Sequence, residues 1–304
     1  MGQCSDFLSV IIGPTGVGKT DYALRRAQEW GCPIVNCDSR QIYRELPIGT
    51  AAPTAEEQAK VRHYFVGTHS LGEDYNAGQY ERDAVSLLNE LMHNHSGNTP
   101  FAILTGGSML YMNAVLKGLD NLPSVPPAIR KAVQNEYKKN GLQWLQEEVQ
   151  RIDPAYWNEV DRQHPQRLIH CIEVTRTADL PYSALRTKTA IHRPWHVHIT
   201  SLVRPREELY NRINRRVDQM IANGLEEETR QAYLPFKQQG LPIPNSLRTV
   251  GYNEMIDYIE GRCTKQEAID KIKQHTRNYA KRQMTWYRNS TSNWYSTNGH
   301  DHNK

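Results

Sequence analysis

Apolar and polar positions along this chain follow two periods. Three short apolar runs, Phe7-Leu8-Ser9-Val10-Ile11-Ile12, Pro33-Ile34-Val35-Asn36-Cys37-Asp38 and Phe101-Ala102-Ile103-Leu104-Thr105, read as buried strands. Helical patterns separate them, and that alternation predicts a parallel sheet with helices on both faces. In such sheets ligands bind beyond the carboxyl ends of the strands, so the loops after Ile12, Cys37 and Leu104 should share one crevice. Residues 120 to 127 then break the pattern with Pro123, Pro126 and Pro127. Helical stretches follow: Ala128 to Lys139 stopped by Gly141, Leu142 to Arg151, a start at Asp153-Pro154, and Pro165 to Arg176. A strand-like alternation returns only at Trp195 to Leu202. Residues 121–198 therefore read as an all-helical insertion into an α/β domain made of 1–120 and 199–304. Leu209, Ile213, Val217 and Met220 recur at helical spacing before Gly224, and Thr264-Lys265-Gln266-Glu267 is a capping box opening a long last helix. The tail from Ser290 is polar and expected to fray, and a metal site at its His300 and His302 is not expected.

The first strand runs into Gly13-Pro14-Thr15-Gly16-Val17-Gly18-Lys19-Thr20, a glycine-rich turn opening a helix. This is the P-loop pattern, in which backbone N–H groups close round a phosphate, Lys19 neutralises charge and Thr20 offers a hydroxyl to Mg²⁺, directly or through water. Anything bound here should carry a di- or triphosphate. Asp38, at the end of the second strand, has two readings: a carboxylate holding magnesium through water, or a base taking a proton from an incoming nucleophile. Spacing alone does not separate them.

Composition narrows the class. With 304 residues, 38% of them hydrophobic, the chain can bury a sizeable core. No apolar run approaches the roughly 20 residues that cross a bilayer, and no secretory signal is expected. Five scattered cysteines without a Cys-x-x-Cys point to reduced thiols in a cytoplasmic protein, not a zinc module. The net charge of +4 is mild, but basic residues concentrate after residue 200, above all between Lys271 and Arg288. On the last helix Ile272, Thr276, Tyr279, Gln283 and Trp286 form a seam suited to core packing. Lys273, Arg277, Lys281 and Arg288 form a stripe about 20 Å long, either a solvated face or a surface for a phosphodiester backbone. Arg162, His164, Arg167 and His170 in the insertion and Arg212, Arg215 and Arg216 in the core supply cations from both lobes, as a groove between them would need.

Longer strings sharpen this. Asp38-Ser39-Arg40-Gln41-Ile42-Tyr43, Ile48-Gly49-Thr50-Ala51-Ala52-Pro53-Thr54, Gly106-Gly107-Ser108-Met109-Leu110-Tyr111, Asp153-Pro154, Pro165-Gln166-Arg167-Leu168, Gly251-Tyr252 and Thr276-Arg277-Asn278-Tyr279-Ala280-Lys281-Arg282-Gln283-Met284-Thr285-Trp286 occur in that order. Together they resemble the tRNA dimethylallyltransferase (isopentenyl-tRNA transferase) family over nearly the whole chain. The resemblance implies a P-loop NTPase-like core with an inserted helical domain. It also implies transfer of a dimethylallyl group from dimethylallyl diphosphate to the exocyclic N6 amine of the adenosine 3′ of the anticodon, in tRNAs reading codons that begin with U. By position, Asp38 is then the general base and Gly13, Pro14, Thr15, Gly16, Val17, Gly18, Lys19 and Thr20 hold the diphosphate. Arg216, in the Arg212-Ile213-x-x-Arg216 pattern, helps the leaving group depart. The tRNA contacts fall on Asp38, Ser39, Arg40, Gln41, Ser108, Arg130, Gln166, Arg167, Leu168, Ile169 and His170, and on Arg277, Lys281 and Arg282 of the last helix. The expected cofactor is Mg²⁺, and the expected partners are the tRNA anticodon stem-loop and dimethylallyl diphosphate, for a monomer with no membrane attachment. Competing readings are a small-molecule P-loop nucleotide kinase, a prenyltransferase acting on free adenine nucleotide, and a non-catalytic RNA-binding module.

Overall fold

The computed structural model describes residues 7–73, 75–187 and 191–294, with side chains to Asn289. Five parallel strands form one sheet in the order β3-β2-β4-β1-β5: β1 Phe7–Ile12, β2 Ile34–Asn36, β3 His63–Tyr64, β4 Ala102–Thr105 and β5 His196–Ser201. Every pairing is parallel, with Val10 opposite both Leu104 and Ile199. The helices before the insertion are α1 Lys19–Trp30, the short α2 Pro47–Thr50 and α3 Ala55–Lys60, α4 Ala77–His93 and α5 Met109–Lys117. Side chains alternate across β1. Leu8, Val10 and Ile12 enter the core shared with Tyr80, Leu88 and Met112, while Ile11 packs on the opposite face with Ala23, Leu24 and Ala27. A strand buried on both faces must be apolar throughout, which is why the run shows no polar alternation.

The chain divides into two compact units, Met1–Lys117 with His192–Lys304, and Gly118–Ile191. The second unit contains α6 Pro127–Ile152, α7 Pro154–Trp157, α8 Pro165–Ala178 and α9 Tyr182–Leu185, around its own core of Val133, Leu145, Val149, Leu168 and Ile172. Its first helix breaks at Gly141, whose φ of 73° and ψ of −166° are not helical. The unit ends earlier than the expected residue 198, because Trp195 is buried in the sheet core and His196 opens β5 beside β1.

The first unit resumes with α10 Arg206–Ala222, α11 Leu225–Gln238, α12 Tyr252–Ile259 and α13 Lys265–Trp294. Glu267 Oε2 accepts from Thr264 N–H at 2.7 Å and Glu267 N–H donates to Thr264 Oγ1 at 3.3 Å, so the capping box is formed. The helix runs past Ser290 to Trp294 instead of fraying at 290. The polar tail beyond it, with His300 and His302, lies outside the described residues, as does Cys4. Cys32, Cys37, Cys171 and Cys263 are free thiols, and no helix among the described residues is long and apolar enough to cross a membrane.

Candidate active site

The loop between β1 and α1 turns on glycines: Gly16 and Gly18 lie at φ 82° and 105°, backbone that other residues adopt only under strain. Lys19 folds back over this loop, donating from Nζ to Gly13 O at 2.7 Å and Pro14 O at 3.1 Å. Burial, with the nearby Arg216 charge, lowers its pKa to about 8, and Asp38 and Cys37 oppose the shift. Burial likewise lowers Arg216, against the pull of Asp38. Lys19, Arg216 and Asp38 thus lie within electrostatic reach of one another, at the carboxyl ends of β1 and β2 and on α10. Two further arginines brace the loop. Arg204 Nε donates to Val17 O at 2.8 Å and Arg212 Nε to Gly16 O at 2.9 Å.

Asp38 is half-buried and held through one oxygen. Oδ1 accepts from Arg40 N–H at 2.9 Å and Gln41 N–H at 3.4 Å, while Oδ2 accepts no hydrogen bond among the described residues. Beside Oδ2 stands Gly107: a Cβ there would press on that oxygen and the carboxylate would have to shift. Ser39 N–H donates to Ser108 Oγ at 2.8 Å and Ser108 Oγ donates to Ser39 Oγ at 2.8 Å, joining the loops after β2 and β4.

Sequence reasoning missed two polar clamps. Gln283 of α13, fully buried, accepts from Thr15 N–H at 2.8 Å and donates to Gly107 O at 2.9 Å; Tyr279 O–H donates to the same carbonyl at 2.7 Å. Its signal was an amide in an otherwise packing-competent seam, because a buried amide needs partners. Glu228 of α11, also buried, accepts from Ile48 N–H at 2.7 Å, Gly49 N–H at 2.9 Å and Tyr252 O–H at 2.6 Å. It fixes α2, whose Thr50 carbonyl receives Gln41 Nε2 at 3.0 Å and Arg216 Nη2 at 3.4 Å. Gln41 therefore has its amide N–H₂ committed to the protein, where an RNA contact was expected.

The expected cationic stripe on α13 is not one open face. Lys273 pairs with Asp218 at 2.6 Å, and Arg277 donates to Asn214 at 2.7 Å with its guanidinium 6.0 Å from the Tyr210 ring, because that side of α13 packs on α10. Lys281, Arg282 and Arg288 remain exposed, Arg282 lying over Tyr279 at 5.5 Å. Arg282, Asn278 and Gln274 line a groove of about 560 Å³ whose other wall includes Asn253, Glu254 and Asp257 of α12, a polar surface of mixed charge. In the insertion Arg130, Gln166, Arg167 and His170 are exposed, and the last three line a pocket of about 500 Å³ with Tyr156, Tyr182 and Arg186. Arg186 lies 5.4 and 5.5 Å from the two tyrosine rings, a mix of π-faces and cations suited to unstacked bases. Leu168 and Ile169 correct the expectation: they turn inward to the insertion core and present no side chain to RNA.

A phosphate loop, a carboxylate with one oxygen free of hydrogen bonds and two half-buried cations suit displacement at a carbon bearing a diphosphate. The comparisons point the same way. The family model for IPP transferase matches residues 41–290. The tRNA dimethylallyltransferase 2 of Parabacteroides distasonis is 47% identical over 281 residues, covering 92% of this chain and 91% of that protein. Among solved structures, the tRNA isopentenylpyrophosphate transferase of Bacillus halodurans superposes with a TM-score of 0.64 at 32% identity, over 94% of this chain and 87% of that one. A eukaryotic dimethylallyltransferase captured acting on tRNA shares the fold, with a TM-score of 0.76 at 21% identity over 93% and 70% of the two chains.

Proposed function

This chain belongs to the IPP transferase family, whose curated relatives are tRNA dimethylallyltransferases, and on that premise we propose how its own residues carry out prenyl transfer. The chain is an enzyme of that class. Dimethylallyl diphosphate binds with its diphosphate in the Gly13 to Thr20 loop, where backbone N–H groups, Lys19 and Arg216 offset the charge. The exocyclic N6 amine of the adenosine 3′ of the anticodon, in tRNAs reading codons that begin with U, forms a bond to C1 of the dimethylallyl group. The C1–O bond breaks with its electron pair leaving on diphosphate, and the amine proton passes to Oδ2 of Asp38. The open oxygen of Asp38, within reach of Lys19 and Arg216, carries this reading. A base stacked in an anticodon loop must flip out to reach a P-loop, and exposed Lys281 and Arg282 on α13 would hold RNA phosphates; Arg130, Arg167 and His170 offer the insertion unit its own contacts to the tRNA.

Mg²⁺ fits the residues present. No group of three or more His, Cys, Asp or Glu able to hold a metal occurs among the described residues, so an all-protein cage is not the site. Mg²⁺ bound with a diphosphate characteristically keeps waters and few protein ligands, and the Thr20 hydroxyl, at the start of α1 beside Lys19, would be the protein group to hold it. When bound it would neutralise leaving-group charge. One chain supplies the loop, Asp38 and Arg216, so the reading needs no second copy, and the four free thiols among the described residues suit a reducing compartment such as the cytoplasm.

The test is incubation with radiolabelled dimethylallyl diphosphate and either tRNA or AMP. Label on tRNA is the expected result. Label on AMP alone would remove tRNA as substrate, and ATP consumption without label transfer would favour a kinase.

A further inference from the structure

The two halves of the site come from different strands: the diphosphate loop follows β1, and the wall behind Asp38 follows β4. The Gln283 side chain hydrogen-bonds both. The Gln283 carboxamide takes the Thr15 N–H of the loop on Oε1 and gives Nε2–H to the Gly107 carbonyl, while burial keeps Tyr279 protonated and donating to that carbonyl as well. Gly107 is the residue whose α-carbon stands against Asp38 Oδ2. We propose that Gln283 is a positioning residue for the transfer step: its amide sets the separation between the diphosphate cradle and the base, and hence between the carbon under attack and the proton acceptor. It touches neither reacting group.

The physical case rests on valence and burial. A fully buried amide with one acceptor and one donor committed across a gap is a strut, because breaking either bond strands a buried polar group. No hydrocarbon of the same volume can replace it. An in-line displacement is sensitive to such a strut, since a misplacement of about 1 Å costs roughly a hundredfold in rate.

The inference rests on the prenyl-transfer reading, and the experiment separates the two. Wild-type protein that moves no dimethylallyl group to tRNA would sink that reading. With transfer established, steady-state and single-turnover rates are measured for Gln283→Leu, which keeps the volume and removes both hydrogen bonds. The expected result is kcat lower by about a hundredfold, with KM for both substrates within about threefold of wild type. Gln283→Glu keeps the inference testable if the leucine variant does not fold. A protonated carboxyl reproduces the acceptor and donor of the amide, whereas the ionised form cannot donate to Gly107 and places negative charge beside the diphosphate loop. The ratio of its rate to the wild-type rate should therefore rise at least about tenfold as pH falls from about 8 to about 5.5. Asp38, Lys19 and Arg216 are common to both proteins, and burial keeps Tyr279 and Tyr287 protonated in each, so the ratio isolates the new group. A folded leucine variant keeping more than about a third of kcat, a loss confined to KM, or a flat pH ratio would each overturn the proposal.

Discussion

Two carboxylates in the same unit show what separates a reactive group from a structural one. Asp38 and Glu228 each accept two backbone N–H groups, Asp38 from Arg40 and Gln41 and Glu228 from Ile48 and Gly49. In Asp38 both fall on Oδ1. In Glu228 they are divided between the two oxygens, and the Tyr252 hydroxyl adds a third donor. Burial and the adjacent Glu228 charge raise Tyr252 far above an ordinary phenol, so it remains a donor. Glu228 has both oxygens engaged and is nearly sealed, at 8% exposure, while half-buried Asp38 keeps one oxygen free of hydrogen bonds. Both are carboxylates; unoccupied acceptor capacity differs, and only a carboxylate with some to spare can take a proton from substrate.

The largest predicted effect exploits that difference. Asp38→Asn keeps an oxygen for the Arg40 and Gln41 amides and removes the basic one, so single-turnover transfer should fall about 10³- to 10⁴-fold with the melting temperature almost unmoved. A rate within tenfold of wild type would make Asp38 a structural or magnesium-side residue. Glu228→Gln should invert the pattern. An amide N–H₂ facing a backbone N–H that needs an acceptor should lower unfolding stability by about 1–3 kcal/mol in urea titration, with transfer reduced only about tenfold through the loosened Thr50 and Arg216. Equal rate losses in the two variants would erase the comparison.

A third prediction concerns the cation beside Asp38. Burial disfavours the charged form of Lys19, so its pKa falls to about 8; its charge is present below that pH and lost above it. KM for dimethylallyl diphosphate should hold steady below about pH 8 and rise toward a limit of about tenfold per unit above it, a bend that Lys19→Met abolishes. The smallest effect separates free from paired cations on α13. Lys281→Ala should raise KM for tRNA a few-fold and reduce the salt slope of binding by about one. Lys273→Ala, at a residue already paired with Asp218, should leave both unchanged.

Much of the site was legible because its parts are local. The P-loop is eight consecutive residues, and Asp38 lies two residues past the end of β2, whose apolar run points at it. The Thr264 and Glu267 box and the break at Gly141 are likewise short-range features. Leu168 and Ile169 were misplaced as contacts because a motif names a stretch, whereas a helix turns neighbouring residues about 100° apart and sends some of them inward. Glu228 sits in a run of three glutamates that gives no hint which one enters the core. The stripe on α13 had the right spacing, but α10 occupies half of it.

Spacing within a turn, a loop or a few helical turns was enough to place strands, helices and the phosphate cradle, because the hydrogen bonds that make them join residues close along the chain. What stands beside the free oxygen of Asp38, which cations are already paired and what Gln283 joins were settled by partners as far as 268 positions away. Those contacts exist only once the sheet has brought its strand ends together, and no local period encodes them.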